Sequence, residues 1–474
     1  MKTLSSTDVL QTTELLRSLP QSITLKSVRR DEVLDYAEIE RRVAAEIDIL
    51  APQLPDTTGR VVIATSDPVA GLITLFATWV AGHCAVLVNP KLAADEKNRV
   101  IAKVTPSVWV DDGGPQMIKD VRPETSLFPD AALILMTSGT TGDPKGVTHS
   151  LATLEARLKL NVAEIGTKAL AHTLCPLPLF FGHGLIGNCL TALYAGQNLH
   201  ILDAPGLKEY AEFGAMLDRF EISFLSSVPS MWRMVLRMSP PPTHSPLRVH
   251  VGSAPMPDAL WAEIEEWCGT KEVLNTYGMT ETANWISGGS RPQQDADGYV
   301  GKPWGGTFRV LRDGKLQNHG RGEVALLSPS LMLGLWGGAH SSDIMEGHFM
   351  TGDIGELDAD QALRLVGRTK NEINRGGIKV LAEEVDMLLE RHPDVAEACA
   401  FGIPEEIAGE LVGAVVRLNA GAKADVPALI TWCRAHARAE AVPSRLALVD
   451  EIAKTDRGKL ARKAIQEEMI RKWL

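Results

Sequence analysis

The sequence is short of several things, and each shortage excludes a class of protein. Six cysteines, Cys84, Cys175, Cys189, Cys268, Cys399 and Cys433, are scattered over 474 residues with no Cys-x-x-Cys pair. That spacing excludes a disulfide framework or zinc finger and predicts buried free thiols in a reducing compartment. Positive charge is scarce: 48 Lys plus Arg against 59 Asp plus Glu leave a net −11. Neither nucleic acid nor a membrane surface is expected as a partner, since both require a basic field. The first twenty residues contain no apolar leader core or cleavage signal, and a cytoplasmic location is the expectation. No apolar run comfortably spans a bilayer. The longest candidate, Gly71 to Val88, carries His83 and breaks at Ala81-Gly82. It reads as a buried helix followed by a buried parallel strand.

What remains is an enzyme-sized chain whose 45% hydrophobic content supports ample core. Tyr36 to Ile49 and Ser150 to Leu160 pattern as helices. Short apolar runs at Val61 to Ala64, Ser107 to Val110, Ala132 to Met136, Asn198 to Leu202 and Ile222 to Ser226 pattern as strands. Strands alternating with helices predict an α/β fold with doubly wound, mainly parallel sheets. From about 298 to 365 short strands alternate with Gly- and Asp-rich turns, which predicts a small β-barrel or sheet. Beyond Gly367-Arg368 about a hundred residues read as compact α+β, including a last helix over Gly458 to Trp473. A boundary near Lys370 therefore separates a large domain, 1–369, from a small one, 370–474.

The strongest local signal is Met136 to Gly146, MTSGTTGDPKG, at the end of the strand Leu133-Ile134-Leu135. Thr137, Ser138, Thr140 and Thr141 supply hydroxyls, while Gly139 and Gly142 let backbone amides approach an oxyanion. Lys145 adds a mobile positive charge. Such a loop suits a polyphosphate, but it is not a kinase P-loop, because Gly146 follows the lysine and no helix begins there.

This loop resembles that of the adenylate-forming superfamily of acyl-CoA synthetases, adenylation domains and luciferases, and further segments match that family in order. The resemblance implies ATP, Mg²⁺ and CoA as cosubstrates and cofactor, with a mobile small domain acting as a lid. Gly252-Ser253-Ala254-Pro255 would lie flat against adenine. In Asn275-Thr276-Tyr277-Gly278-Met279-Thr280-Glu281, Tyr277 would stack on adenine and Gly278 would leave room for the reacting carboxylate. Thr280 would bond a phosphate, and Glu281 would ligate Mg²⁺. Asp353, in Thr351-Gly352-Asp353, would accept from both ribose hydroxyls, with Arg368 a second ribose contact. The resemblance places the hinge at Lys370, a thiol tunnel at Gly376-Gly377, and the catalytic lysine at Lys459 within Lys454 to Arg462.

The acid pocket corresponds to Pro178 to Leu185 with Ser253, Gly278 and Asn284. It lacks the aspartate that holds an α-ammonium, which disfavours amino acids. Phe181 replaces a histidine frequent in fatty and hydroxycinnamate activators, so the pattern is nearest to benzoate-type CoA ligases. An aromatic wall suits an aryl or small hydrophobic acid. His183 would read a ring substituent or serve as a satisfied structural histidine. The family also includes enzymes that load a carrier protein or pass the adenylate to an amine. An ADP-forming phosphotransferase is disfavoured by the missing Walker pattern, and a non-catalytic scaffold by the intact Lys459, Glu281 and Asp353.

Overall fold

The computed structural model describes residues 16, 19–118, 128–138, 144–203, 205–294, 296–337, 343–375, 378–406, 408–455 and 459–473. Helix Pro68–Val80 starts where the Asp67 side chain accepts from the Val69 amide, and Pro68 occupies the first turn. It ends at Ala81, before Gly82 at φ +78°. The fully buried strand Cys84–Leu87 follows, as the 71–88 pattern predicts. No helix among the described residues is long and apolar enough to cross a membrane. Helix Leu151–Ile165 begins where Ser150 accepts from the Thr153 amide at 3.1 Å.

Cys84–Leu87 is central to a seven-stranded sheet, paired in parallel with Arg60–Ile63 and Ala131–Ser138. A second, 15-stranded sheet has a parallel section running through Asn198–Ile201, His172–Cys175, Phe224–Ser227, Arg248–Gly252 and Val273–Gly278. A hairpin, Thr24–Ser27 with Glu32–Asp35, adds to its edge. At the other end Trp285–Ser290 and Tyr299–Pro303 pair antiparallel and continue into Leu363–Arg368, His348–Leu357, Gly320–Leu327 and Thr307–Arg312. The 298–365 region thus extends the large sheet as an antiparallel layer around its own core of Phe308, Val310, Val324 and Leu326.

Residues from Glu372 onward build a third sheet, with Gly409–Leu418 between Val395–Glu405 and Arg445–Leu448. The last helix begins at Arg462, four residues later than its pattern predicts. An isolated antiparallel bridge joins Lys454 to Leu460, and the Ala461 amide donates to Ala453 O. Among the described residues, the apolar clusters of this lobe contain none before Ile373, and the other clusters contain none after Leu365. Charged pairs bridge the lobes instead: Arg233 to Glu390 at 3.5 Å, Arg391 to Asp297 at 2.8 Å and Arg321 to Glu384 at 3.9 Å. All six cysteines are free and buried. Burial pushes the Cys84 and Cys399 thiols up to about 12.

Candidate active site

The carboxyl ends of Phe224–Ser227, Arg248–Gly252 and Val273–Gly278 open onto a cleft of about 1480 Å³, which both lobes line. Crevices at this end of parallel strands are where α/β sheets bind ligands. His183, Ser253, Asn284, Asp353, Arg368 and Lys459 all face it.

The first wall is a π-helix, His183–Leu190, which no pattern in the sequence announces. Two glycines allow it to sit close to its neighbours. A Cβ on Gly184 would stand 2.5 Å from Pro178 O, and one on Gly187 would stand 2.9 Å from the Trp285 ring. Isolated π-turns recur at functional sites. Here the turn delivers His183, whose Nδ1 meets Ser253 Oγ at 2.8 Å and whose Nε2 meets Ser226 Oγ at 2.6 Å. Asn188, on the same helix, holds the Ser226 backbone through its amide and carbonyl, both at 3.1 Å. Burial, then the nearby Lys459 charge, pushes His183 down to about 3, so it is neutral. Both ring nitrogens have partners, which makes it a satisfied histidine that orients Ser253. Ser253 itself adopts φ +67°, a conformation uncommon outside glycine. Phe181 packs edge-on against Phe180 at 4.5 Å, and Asn284 is buried with its Nδ2 unbonded among the described residues.

The second wall is built around Asp353, only 3% exposed. The Tyr277 hydroxyl donates to its Oδ2 at 2.6 Å, and Arg368 Nε donates to its Oδ1 at 2.6 Å. Register makes the latter pair, because Asp353 and Arg368 are directly opposed on antiparallel strands. The Asp353 charge, foremost, holds the Arg368 guanidinium above its ordinary range. The Tyr277 ring is packed with Ile286 and Val300. Burial, then the Asp353 charge, pushes its hydroxyl well up. Asn275 donates to Tyr299 O and Thr276 to Val251 O, so both also brace the strands. Gly278 and Gly252 both sit close against neighbouring chain. A Cβ at Gly278 would lie 2.4 Å from Asn284 O, and one at Gly252 2.7 Å from Thr276 O.

A short 3₁₀ turn, Thr280–Thr282, follows Met279 and brings Thr280 to the cleft. Glu281, half-buried, makes no ion pair among the described residues. No group of three or more His, Cys, Asp or Glu arranged to hold a metal ion exists among them. A lone carboxylate nevertheless fits Mg²⁺, which takes one or two carboxylates and completes its shell with phosphates and water.

Family models described as AMP-binding enzyme and AMP-binding enzyme C-terminal domain match residues 112–336 and 384–459. An oxalate–CoA ligase of Arabidopsis thaliana is 34% identical over 353 residues, covering 72% of this chain and 68% of that one. The chain belongs to the AMP-binding, adenylate-forming enzymes. A 2-succinylbenzoate–CoA ligase of Geobacillus kaustophilus is 33% identical, over 72% of this chain and 70% of that one. Among solved structures, ATP-bound MatB from Rhodopseudomonas palustris superposes with TM-score 0.84 at 22% identity, covering 99% and 100% of the two chains. The amide bond synthetase McbA from Marinactinospora thermotolerans gives 0.82 at 21%, covering 98% and 100%. At such identities these two speak for the fold.

Of the remaining predicted residues of this adenylate-forming enzyme, Ala254, Pro255, Lys370 and Lys459 line the same cleft. Ala254 and Pro255 follow Ser253 along the rim. Lys459 reaches the cleft from the small lobe, and its backbone is tied to Thr455 by the Thr455 amide at 2.8 Å. Lys370 lies in the 3₁₀ turn Thr369–Asn371, its ammonium disfavoured by burial and then by Arg368. Lys145 is exposed on Pro144–Ser150, and Thr137 Oγ1 donates to its carbonyl at 3.5 Å. Ser138 ends Ala131–Ser138. Gly139, Thr140, Thr141, Gly142, Gly376 and Gly377 lie outside the described residues. Ser226 and Asn188 went unpredicted.

Four histidines, three of them buried and His183 half-buried at the cleft, give the enzyme an acid liability. Burial pushes His149 and His200 down to about 4, His183 to about 3 and His250 well down, from 6.5. Between roughly 6.5 and 4 the unfolded chain binds protons that the native fold refuses, so stability falls as pH falls through that window. Each fully refused proton contributes about 1.4 kcal/mol per pH unit. Urea midpoints should therefore drop from pH 7 to pH 5; an unchanged midpoint would contradict this.

Proposed function

We propose that this chain joins a carboxylic acid to ATP, forming an acyl-adenylate and pyrophosphate, and then transfers the acyl group to the CoA thiol. The observation that supports it best is the convergence on one cleft of Lys459 from one lobe with Asp353, Arg368 and Thr280 from the other. A carboxylate is ionised at neutral pH and needs no general base. It needs alignment with the α-phosphorus and neutralisation of gathering charge. One carboxylate oxygen attacks the α-phosphorus as the bond to the bridging oxygen breaks, and pyrophosphate departs with that electron pair. Lys459 places its ammonium between the carboxylate and the α-phosphate. Asp353 accepts from the ribose hydroxyls, with Arg368 beside it, while Thr280, the Thr137 to Gly142 loop and Lys145 bind phosphate. Glu281 would hold Mg²⁺, which supplies neutralising charge to the phosphates when bound. Turning about Lys370 would withdraw Lys459 and bring Gly376-Gly377 to the thiol. The thiolate then displaces AMP from the adenylate carbonyl.

The Phe180–Phe181 pair supports an aryl or small hydrophobic acid. Ser253, His183 and Asn284 on the same wall favour a second reading, a short acid with an additional polar group. Similar proteins include CoA ligases named for oxalate, malonate and sulfoacetate. Carrier-protein and amine acceptors are the alternatives to CoA. Nucleotide analysis with MgATP and a panel of aryl and short dicarboxylic acids, with and without CoA, tests the proposal. Acid-dependent AMP and pyrophosphate, with turnover requiring CoA, is the expected result. ADP and phosphate would refute it, and adenylate that builds up unchanged beside CoA would refute the acceptor.

A further inference from the structure

Arg157, midway along Leu151–Ile165, is fully buried yet faces no carboxylate among the described residues. Its guanidinium donates to Ser330 Oγ from Nε at 3.0 Å and from Nη2 at 2.7 Å. It also reaches Ser328 Oγ at 3.0 Å and Trp304 O at 3.4 Å. Burial pushes it down only to about 9, so it remains charged at neutral pH. A buried cation held by neutral acceptors alone is an expensive feature, and its surroundings indicate what it secures.

Ser330, which accepts from Arg157, donates its own hydroxyl to Thr282 O at 3.0 Å. The Met332 amide donates to Glu281 O at 2.7 Å. His149 Nε2 bonds Thr280 O at 2.8 Å, and because a carbonyl only accepts, the ring proton must sit on Nε2. Three successive carbonyls of the Thr280–Thr282 turn are thus tied to residues outside it. The next residue, Ala283, has φ 65° and ψ −39°, a conformation strained for alanine. Without external ties the turn would relax.

We infer that Arg157, acting through Ser330, is a positioning residue that clamps the Thr280–Thr282 turn and so aims Thr280 and Glu281 at the bound nucleotide and its metal. The inference rests on the nucleotide-facing role proposed above for those two residues. Neither Arg157 nor Ser330 touches the reactants, so their effect must appear as altered metal coupling rather than as loss of a contact.

The test is calorimetric titration with ATP, with and without Mg²⁺, of the wild-type enzyme and of Ser330→Ala, Ser330→Thr and Arg157→Gln. Ser330→Ala keeps the buried charge and is the safer variant should Arg157→Gln fail to fold. In folded Ser330→Ala the gain in ATP affinity caused by Mg²⁺ should shrink on the order of tenfold, the scale of a lost outer-sphere support. Metal-free ATP affinity should hold, and Ser330→Thr should recover the gain. A folded Ser330→Ala enzyme with the wild-type Mg²⁺ gain would overturn the clamp. Wild-type enzyme that forms no adenylate, but loses its Mg²⁺ gain in Ser330→Ala, would refute the reaction while supporting the clamp.

Discussion

Lys459→Ala should slow acyl-adenylate formation about 100- to 1000-fold, roughly the 3–4 kcal/mol lost with one donor to a developing oxyanion. The two backbone bonds that Lys459 makes should survive the change. Lys459 is exposed, and the bonds that shape its loop use its backbone: its carbonyl accepts from the Thr455 amide and its amide donates to Thr455 Oγ1 at 3.3 Å. Truncating the side chain leaves both in place. Transfer from a supplied acyl-adenylate to CoA should be far less affected, since that step has no pentavalent phosphate to stabilise. Pyrophosphate release and thioester formation, assayed separately, check the division. Equal losses in the two half-reactions would assign Lys459 a general structural part instead.

Asp353→Ala should be the most destabilising change at the site. It strips the Arg368 guanidinium and the Tyr277 hydroxyl of their acceptor in one step. Breaking a buried pair from one side typically costs about 3–5 kcal/mol, and the 40% exposure of the Arg368 side chain points to the lower end. Tyr277→Phe removes a single hydrogen bond to the same carboxylate, so about 1.5–3 kcal/mol is expected. Denaturant titrations of the three proteins should rank them wild type, Tyr277→Phe, Asp353→Ala. ATP affinity should follow the same order if the carboxylate serves the ribose. Affinity unchanged in Asp353→Ala would remove it from the nucleotide site and leave it a purely structural group.

The segments that could be read from sequence are those whose physical reason is local. The apolar run Leu133-Ile134-Leu135 shows its strand within a few residues, whereas Thr351-Gly352-Asp353, expected ahead of a strand, lies inside His348–Leu357. Helices announced by periodicity and caps were legible for the same reason. Contacts made by strand order were not: Ser226 meets His183 across 43 positions, and Ser330 meets Arg157 across 173. The Thr24–Ser27 hairpin strand was equally hidden, since its parallel partner begins at Asn198. One signal was present and unused. Arg157 falls on the buried stripe of Leu154, Leu158 and Ile165, where a charged residue calls for an explanation. The close neighbours of Gly252 and Gly278, the Thr276 hydroxyl and Asn284 O, were equally illegible, since they come from chain distant in sequence or from the following turn.

The polar seam between the lobes carries a consequence for anyone who handles the enzyme. With charged pairs and, among the described residues, no shared apolar cluster across it, the lobes cohere through attractions that dissolved ions weaken. At physiological ionic strength such fields fade over about 8 Å, and concentrated buffer shortens that reach further. Salt is therefore a reagent in this enzyme's kinetics, acting on how long the two halves stay together before any substrate is turned over.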